Sequence, residues 1–167
     1  MFRLSKLTDY GIVLLAHLAR EADAATATPH NARELAEQTH FPAPAVSKVL
    51  KALAREGVLE SHRGTKGGFT LARRPEDISV ADMIYALEGP VAMTQCAVGL
   101  HLCAHEGSCA VRDPWQVINS VVVDSLSQIT LAHLVDPTFT AASKLLGARE
   151  QPTPRPSPSP SSTIDVK

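Results

Sequence analysis

The chain has 167 residues, of which 44% are hydrophobic, 20% charged and only 4% aromatic. This is an ordinary globular composition, enough for one domain with a core of Ala, Val, Leu and Ile. No apolar run approaches the roughly 18 residues of a membrane span. The N-terminal segment MFRLSKLTDYG carries charges where a signal peptide has its apolar region. Both features predict a cytoplasmic protein with no membrane partner. The net charge of −1 conceals an asymmetry: residues 1–74 carry 11 Lys/Arg against 7 Asp/Glu, and residues 75–167 carry 5 against 10. The front half is basic, so a polyanion partner would meet it there.

Leu4, Leu7, Gly11, Leu14, Leu15 and Leu18 recur at helical spacing and predict a helix over about 3–21. After a polar stretch, Asn31 followed by Glu34 reads as a capping box opening a second helix, which stops near His40. Phe41-Pro42-Ala43-Pro44 forces a turn, because each proline disfavours helix in the residue before it. A third helix from about Pro44 to Glu56 carries Val46, Val49, Leu50 and Leu53 on one face, with Gly57 as its cap. Two short extended runs around the basic, Gly-rich tip Gly64-Thr65-Lys66-Gly67-Gly68 read as a β-hairpin. Ser79 caps a fourth helix that ends at Gly89-Pro90. Residues 93–112 have no clear period and read as a loop. Asp113-Pro114 then opens a helix of about 17 residues, or roughly 25 Å, with a last short turn from Thr130 through Leu134. From about Gly147 the chain is Pro/Ser-rich, a composition expected to be disordered.

Two short helices, a tight turn and a Gly-rich hairpin make a winged helix-turn-helix. The predicted fold is mainly α, with a small β-hairpin wing and a long C-terminal dimerisation helix. Its units are a DNA-binding domain over 1–90, a cysteine loop over 91–112, the dimerisation helix over 113–136 and a tail over 147–167. The second helix of such a pair fits the major groove, while the wing reaches backbone or minor groove alongside. Lys48, Lys51, Arg63 and Lys66 place charge where phosphates would lie, and Ser47 is small enough to approach base edges. Thr65 at the wing tip, with Arg3 and Lys6 at the N-terminus, completes the candidate set for double-stranded operator DNA. Paired half-sites require a two-fold dimer, and Trp115, Val117, Ile118, Val121 and Val122 supply an apolar helix for it.

The three cysteines, Cys96, Cys103 and Cys109, lie within 14 residues as C-x6-C-x5-C. An odd, clustered set is no disulfide framework. Its gaps exceed the C-x2-C knuckles typical of zinc, whereas iron–sulfur clusters accept varied spacings and a non-cysteine ligand. A 2Fe–2S or 4Fe–4S cluster leads, with zinc or free thiols as the alternatives. His101 and His105 lie within the loop as further candidate ligands. There is no GxSxG, no Gly-rich phosphate loop and no HExxH, so neither an enzyme nor a small-molecule substrate is expected.

The opening RLSKLTDYGIVLLAHLA, the RGTKGGFTLAR wing, the ISVADMIYALEG helix and the three-cysteine loop before DPW resemble the Rrf-type winged-helix regulators, the family of IscR and NsrR. FPAPAVSKVLKALAREG and ESHRG are most similar to the branch that regulates SUF iron–sulfur assembly. The resemblance covers about residues 1–136. It implies a dimeric repressor whose loop cysteines hold an iron–sulfur cluster. In the IscR-like branch a histidine three residues after the third cysteine completes the cluster site, and Arg112 stands there in this chain. In the nitric-oxide-sensing branch a carboxylate of the TDY segment serves from the partner subunit, and Asp9 matches that position. The resemblance therefore makes Asp9 the first candidate fourth ligand, ahead of His105, His101 and a small thiol or water.

Overall fold

The computed structural model describes residues 3–21, 28–64, 67–98, 103–104 and 107–139. Thr65, Lys66, His101, His105 and the 147–167 tail lie outside these described residues. The first helix, α1 (Lys6–Glu21), starts later than its periodicity predicts, because Ser5 caps it. Ser5 Oγ accepts the Thr8 N–H at 3.3 Å. The helix buries Thr8, Gly11, Leu14, Leu15, Leu18 and Ala19 along one stripe.

Asn31 caps α2 (Ala32–Thr39) by accepting the Glu34 N–H at 2.9 Å. Only half of the expected box forms, since the Glu34 carboxylate takes the Asn31 side-chain amide at 3.4 Å. His40 turns the chain through the left-handed region at φ 58°, and α3 (Ala43–Arg55) follows. Val46, Val49, Leu50 and Leu53 are the buried residues of α3, and Gly57 leaves the helix at φ 71°. The wing is an antiparallel pair, β1 (Leu59–His62) with β2 (Gly68–Leu71), in which Leu59 faces Leu71 and His62 faces Gly68. His30 and Phe69 exchange backbone hydrogen bonds at 3.1 and 2.9 Å, adding a short third edge. Gly68 is required there, because a Cβ would run into the His30 backbone carbonyl.

A 3-10 turn (Pro75–Asp77) leads to α4 (Val80–Glu88), whose start carries a reciprocal Ser79–Asp82 capping box. Next come α5 (Gln95–Val98), α6 (Arg112–Ser127) and α7 (Leu131–Val135). Two of these differ from the sequence reading. The cysteine segment is not wholly irregular, since α5 forms one helical turn within it. The long helix is not capped by Asp113: it begins at Arg112 after Val111, which offers no side-chain cap. Pro114 then falls in the first turn, where its missing N–H costs nothing.

After α6 the chain returns to the body. Val80 N–H donates to Ile129 C=O and Leu131 N–H to Ile78 C=O, both at 2.8 Å. Leu131 is fully buried with Leu14, Leu15, Leu50, Leu53, Ile78 and Met83, so α1, α3, α4 and α7 share one core. No helix of the described residues is long and apolar enough to cross a membrane.

Glu88, at the end of α4, closes the start of α1 from across the sequence. Its Oε1 accepts the Ser5 N–H at 2.6 Å and the Thr8 hydroxyl at 2.5 Å. The Thr8 bond first, then the Ser5 N–H, holds this carboxyl below its ordinary range. A depressed folded pKa contributes stability above the unfolded value and loses it as pH falls through the folded one. The stability difference between wild type and Glu88→Gln is thus expected to be largest near neutral pH. It should vanish in acid, below the usual carboxylate range. Thermal melts across pH read this directly, and a pH-independent difference would refute the ionic contribution.

Candidate nucleic-acid interface and cysteine loop

The core that buries four residues of α3 turns the opposite face of that helix to solvent. Pro42, Ala43, Pro44, Lys48, Lys51 and Arg55 are exposed, and Ser47 is half-buried between them. The basic residues of this region divide by what they already hold. Arg55 pairs with Glu56 at 3.0 Å, Arg73 with Asp82 at 3.6 Å, and Arg74 with Asp77 at 3.0 Å. Lys48, Lys51 and Arg63 make no ion pair among the described residues, although all three are exposed. Cations left without an internal counter-charge on one helix face and the wing are available to an external polyanion.

The wing holds Arg63 immediately after β1. His62 Nε2 and Thr70 Oγ1 lie 2.8 Å apart and tie the two strands together. Gly67 N–H donates to Gly64 C=O at 2.9 Å beside Arg63.

A contact absent from the sequence reading sets the approach to α3. Tyr10 stacks on Phe41 with ring centroids 4.2 Å apart and an interplanar angle of 23°. Lys6 Nζ lies 6.0 Å from the Tyr10 ring centroid. The stack fixes the start of α1 beside the entry to α3 and brings Lys6 to that neighbourhood. Arg3 is exposed and lines a surface depression with Lys6 and Asp9. The one sequence signal for the stack is scarcity, one aromatic in α1 and one in the turn between α2 and α3 in a chain that is 4% aromatic.

The cysteine segment is held at both ends against α6. Asn119 Oδ1 accepts the Met93 N–H at 3.0 Å, and its Nδ2 donates to Val91 C=O at 3.2 Å. At the other end Arg112 N–H donates to Cys109 C=O at 3.3 Å. Cys103 and Cys109 are half-buried free thiols, and Cys96 lies in the α5 backbone with its side chain outside the described set. Soft, undisulfided thiols on a segment anchored at both ends are the donor chemistry an iron–sulfur cluster takes. Among the described residues no group of three or more His, Cys, Asp or Glu is assembled to hold a metal ion. Asp9, exposed on the first turn of α1, is thus not gathered with Cys103 and Cys109 within the protomer.

None of the residues of α6 is buried. Val111, Trp115, Val117, Ile118 and Val121 are all exposed. At 3.6 residues per turn they fall within an arc of roughly 160°. Asn119, which anchors residues 91–93, lies to one side of this stripe, and the polar Gln116, Ser120 and Asp124 lie beyond it.

Residues 4–137 match the Rrf2 family model, described as an iron-dependent transcriptional regulator. The chain is 32% identical over 154 residues to the HTH-type transcriptional repressor NsrR of Streptomyces coelicolor, covering 90% of this chain and 99% of that one. It is 27% identical over 133 residues to protein rrf2 of Nitratidesulfovibrio vulgaris, covering 80% and 87%. The fold is similar to that of CymR, the global cysteine regulator of B. subtilis, with TM-score 0.61, 24% identity and coverage of 81% and 97%. It is similar also to T. potens IscR, with TM-score 0.57, 23% identity and coverage of 90% and 94%.

Proposed function

The chain belongs to the Rrf2 family of winged-helix transcriptional regulators, and from that premise we propose that it is a homodimeric, operator-binding repressor of SUF iron–sulfur assembly genes that senses through a bound iron–sulfur cluster. It is a regulator and not an enzyme. The observation that carries the sensing reading is the pair of free, half-buried thiols, Cys103 and Cys109, on a segment hydrogen-bonded at both ends to α6.

Cys96, Cys103 and Cys109 supply three ligands in this reading. Asp9 of a second protomer, His105 or His101 supplies the fourth. A bound cluster supplies a labile cross-link among the three thiols. The chain does the rest: the cysteine segment joins the body of the winged helix to α6, so ordering it fixes how α6 leaves that body. Half-sites lie about 34 Å apart per turn, and a small change in α6 misplaces one recognition helix. A tenfold change in affinity needs only about 1.4 kcal/mol of differential binding.

Anaerobic purification should give a coloured protein that protects promoters of cluster-assembly genes. The Cys96, Cys103, Cys109 triple serine variant should be colourless and bind the operator at least tenfold more weakly at the same salt concentration. Colourless wild-type protein containing zinc would replace the cluster, equal affinities would remove the sensing role, and tighter binding by the variant would reverse its sign.

A second reading, a nitric-oxide-responsive repressor, is supported by the 32% identity to NsrR across nearly all of that protein. Arg112 also stands where the IscR-like branch has its histidine ligand. Release of operator by nitric oxide, with protection of promoters outside the assembly genes, would favour it.

A further inference from the structure

We infer that the recognition helix reads thymine methyl groups, with Ala43 and Pro44 as the specificity-determining residues. The inference rests on the DNA-binding reading above and concerns how sequence is chosen. The side chains that hydrogen-bond to base edges are Arg and Lys at guanine, Asn and Gln at adenine, and Glu and Asp at cytosine. From Pro42 through Lys51 the exposed side chains of α3 and its entry are Pro42, Ala43, Pro44, Lys48 and Lys51; the three at the leading end carry no hydrogen-bonding group, and the two lysines follow about one and two turns later. Arg55 and Glu56, at the far end, are paired with each other at 3.0 Å.

The backbone at the leading end is equally poor in donors. Pro42 and Pro44 have no N–H. The Ala45 and Val46 N–H groups both donate to Pro42 C=O, at 2.9 and 3.1 Å. Of the N–H groups from 42 to 46, this leaves Ala43 alone to meet a ligand. The end of the helix that enters deepest in a helix-turn-helix is therefore unsuited to cradling a phosphate. It presents a methyl group and a pyrrolidine ring, held rigid by two fixed proline φ angles and by the Phe41–Tyr10 stack behind them.

The apolar feature of the major groove is the C5-methyl of thymine, which Ala-type side chains contact. Ser47, half-buried one turn further on, adds a single hydroxyl able to meet either a donor or an acceptor. Lys48 and Lys51 stand further along the same exposed face, where they could reach either phosphates or guanine edges.

Replacing thymine by deoxyuridine removes the methyl and keeps every Watson–Crick and groove hydrogen-bonding group. The test starts from the duplex that the full-length protein selects out of a random library. Each thymine is then replaced by deoxyuridine in turn, and affinity is measured at one salt concentration. At one or more positions in each half-site affinity should fall about fourfold, the worth of one buried methyl. Pro44→Ser should bind the parent duplex more weakly and lose little more on the deoxyuridine duplex. Tight, selective binding that is indifferent to every replacement would overturn methyl reading and leave DNA binding intact. Failure to enrich any duplex would overturn both.

Discussion

Val117→Glu combined with Val121→Glu is expected to yield a folded monomer with operator affinity reduced at least a hundredfold. The two valines are 63% and 56% exposed in the protomer and lie on the same stripe of α6 as Trp115 and Ile118. Neither belongs to the buried core, which draws on α1, α2, α3, β1, α4 and α7, so the protomer should keep its helical content. In a two-fold contact the same stripe meets itself, and each substitution buries a carboxylate against apolar side chains. An unpaired charge there costs several kcal/mol, more than a pair of valines contributes by burial. The loss on DNA follows from arithmetic: two linked recognition helices bind more tightly than one by a factor of about 10² to 10⁴. Sedimentation velocity gives the oligomeric state, circular dichroism the fold and fluorescence anisotropy the affinity. A variant that remains dimeric would place the two-fold contact on another face.

What the chain discloses in one dimension depends on how far apart the partners sit. Asn31 with Glu34, and Ser79 with Asp82, are readable because a cap and its partner are three residues apart. The wing is readable because glycines bracket a basic tip between two extended runs, and α3 because its four buried residues follow helical spacing. The start of α6 misleads, since Asp113-Pro114 has the form of a cap while the chain turns helical at Arg112. A single helical turn such as α5 is too short to show a period. The Tyr10–Phe41 stack and the clasp of Glu88 on Ser5 and Thr8 join residues remote in sequence, and no local pattern announces them.

The candidate site divides in the same way. Charge is legible, but its availability is not: Arg55, Arg73 and Arg74 look as basic as Lys48, Lys51 and Arg63 until the carboxylates beside them are located. Three clustered cysteines announce a thiol site, and Cys103 and Cys109 are indeed free. A fourth ligand donated across a two-fold axis is encoded in the pairing of two protomers, not in spacing along one. That is why Asp9 enters through resemblance and not through the C-x6-C-x5-C pattern.

Lys48→Ala with Lys51→Ala is expected to weaken every duplex by a similar factor, whereas Arg63→Ala should erode discrimination. The distinction follows from where each side chain stands. Lys48 and Lys51 project from the exposed face of α3 with no internal counter-charge among the described residues, one and two turns beyond the leading end that would enter the groove. A lysine is a compact point charge, suited to a phosphate and indifferent to sequence. Each phosphate neutralised contributes about 0.9 to the slope of log affinity against log salt. Two lysines per protomer, four per dimer, should therefore flatten that slope by roughly 3 to 4 on operator and random DNA alike. Arg63 differs because it stands on the wing, beside the Gly64–Gly67 hydrogen bond, where a guanidinium would be placed to enter the narrower groove. Its removal should cost about 1–3 kcal/mol on the operator and much less on random DNA. Anisotropy titrations at several salt concentrations separate the two effects. An unchanged slope in the double lysine variant, with unchanged operator affinity in Arg63→Ala, would move the DNA to another surface of the protein.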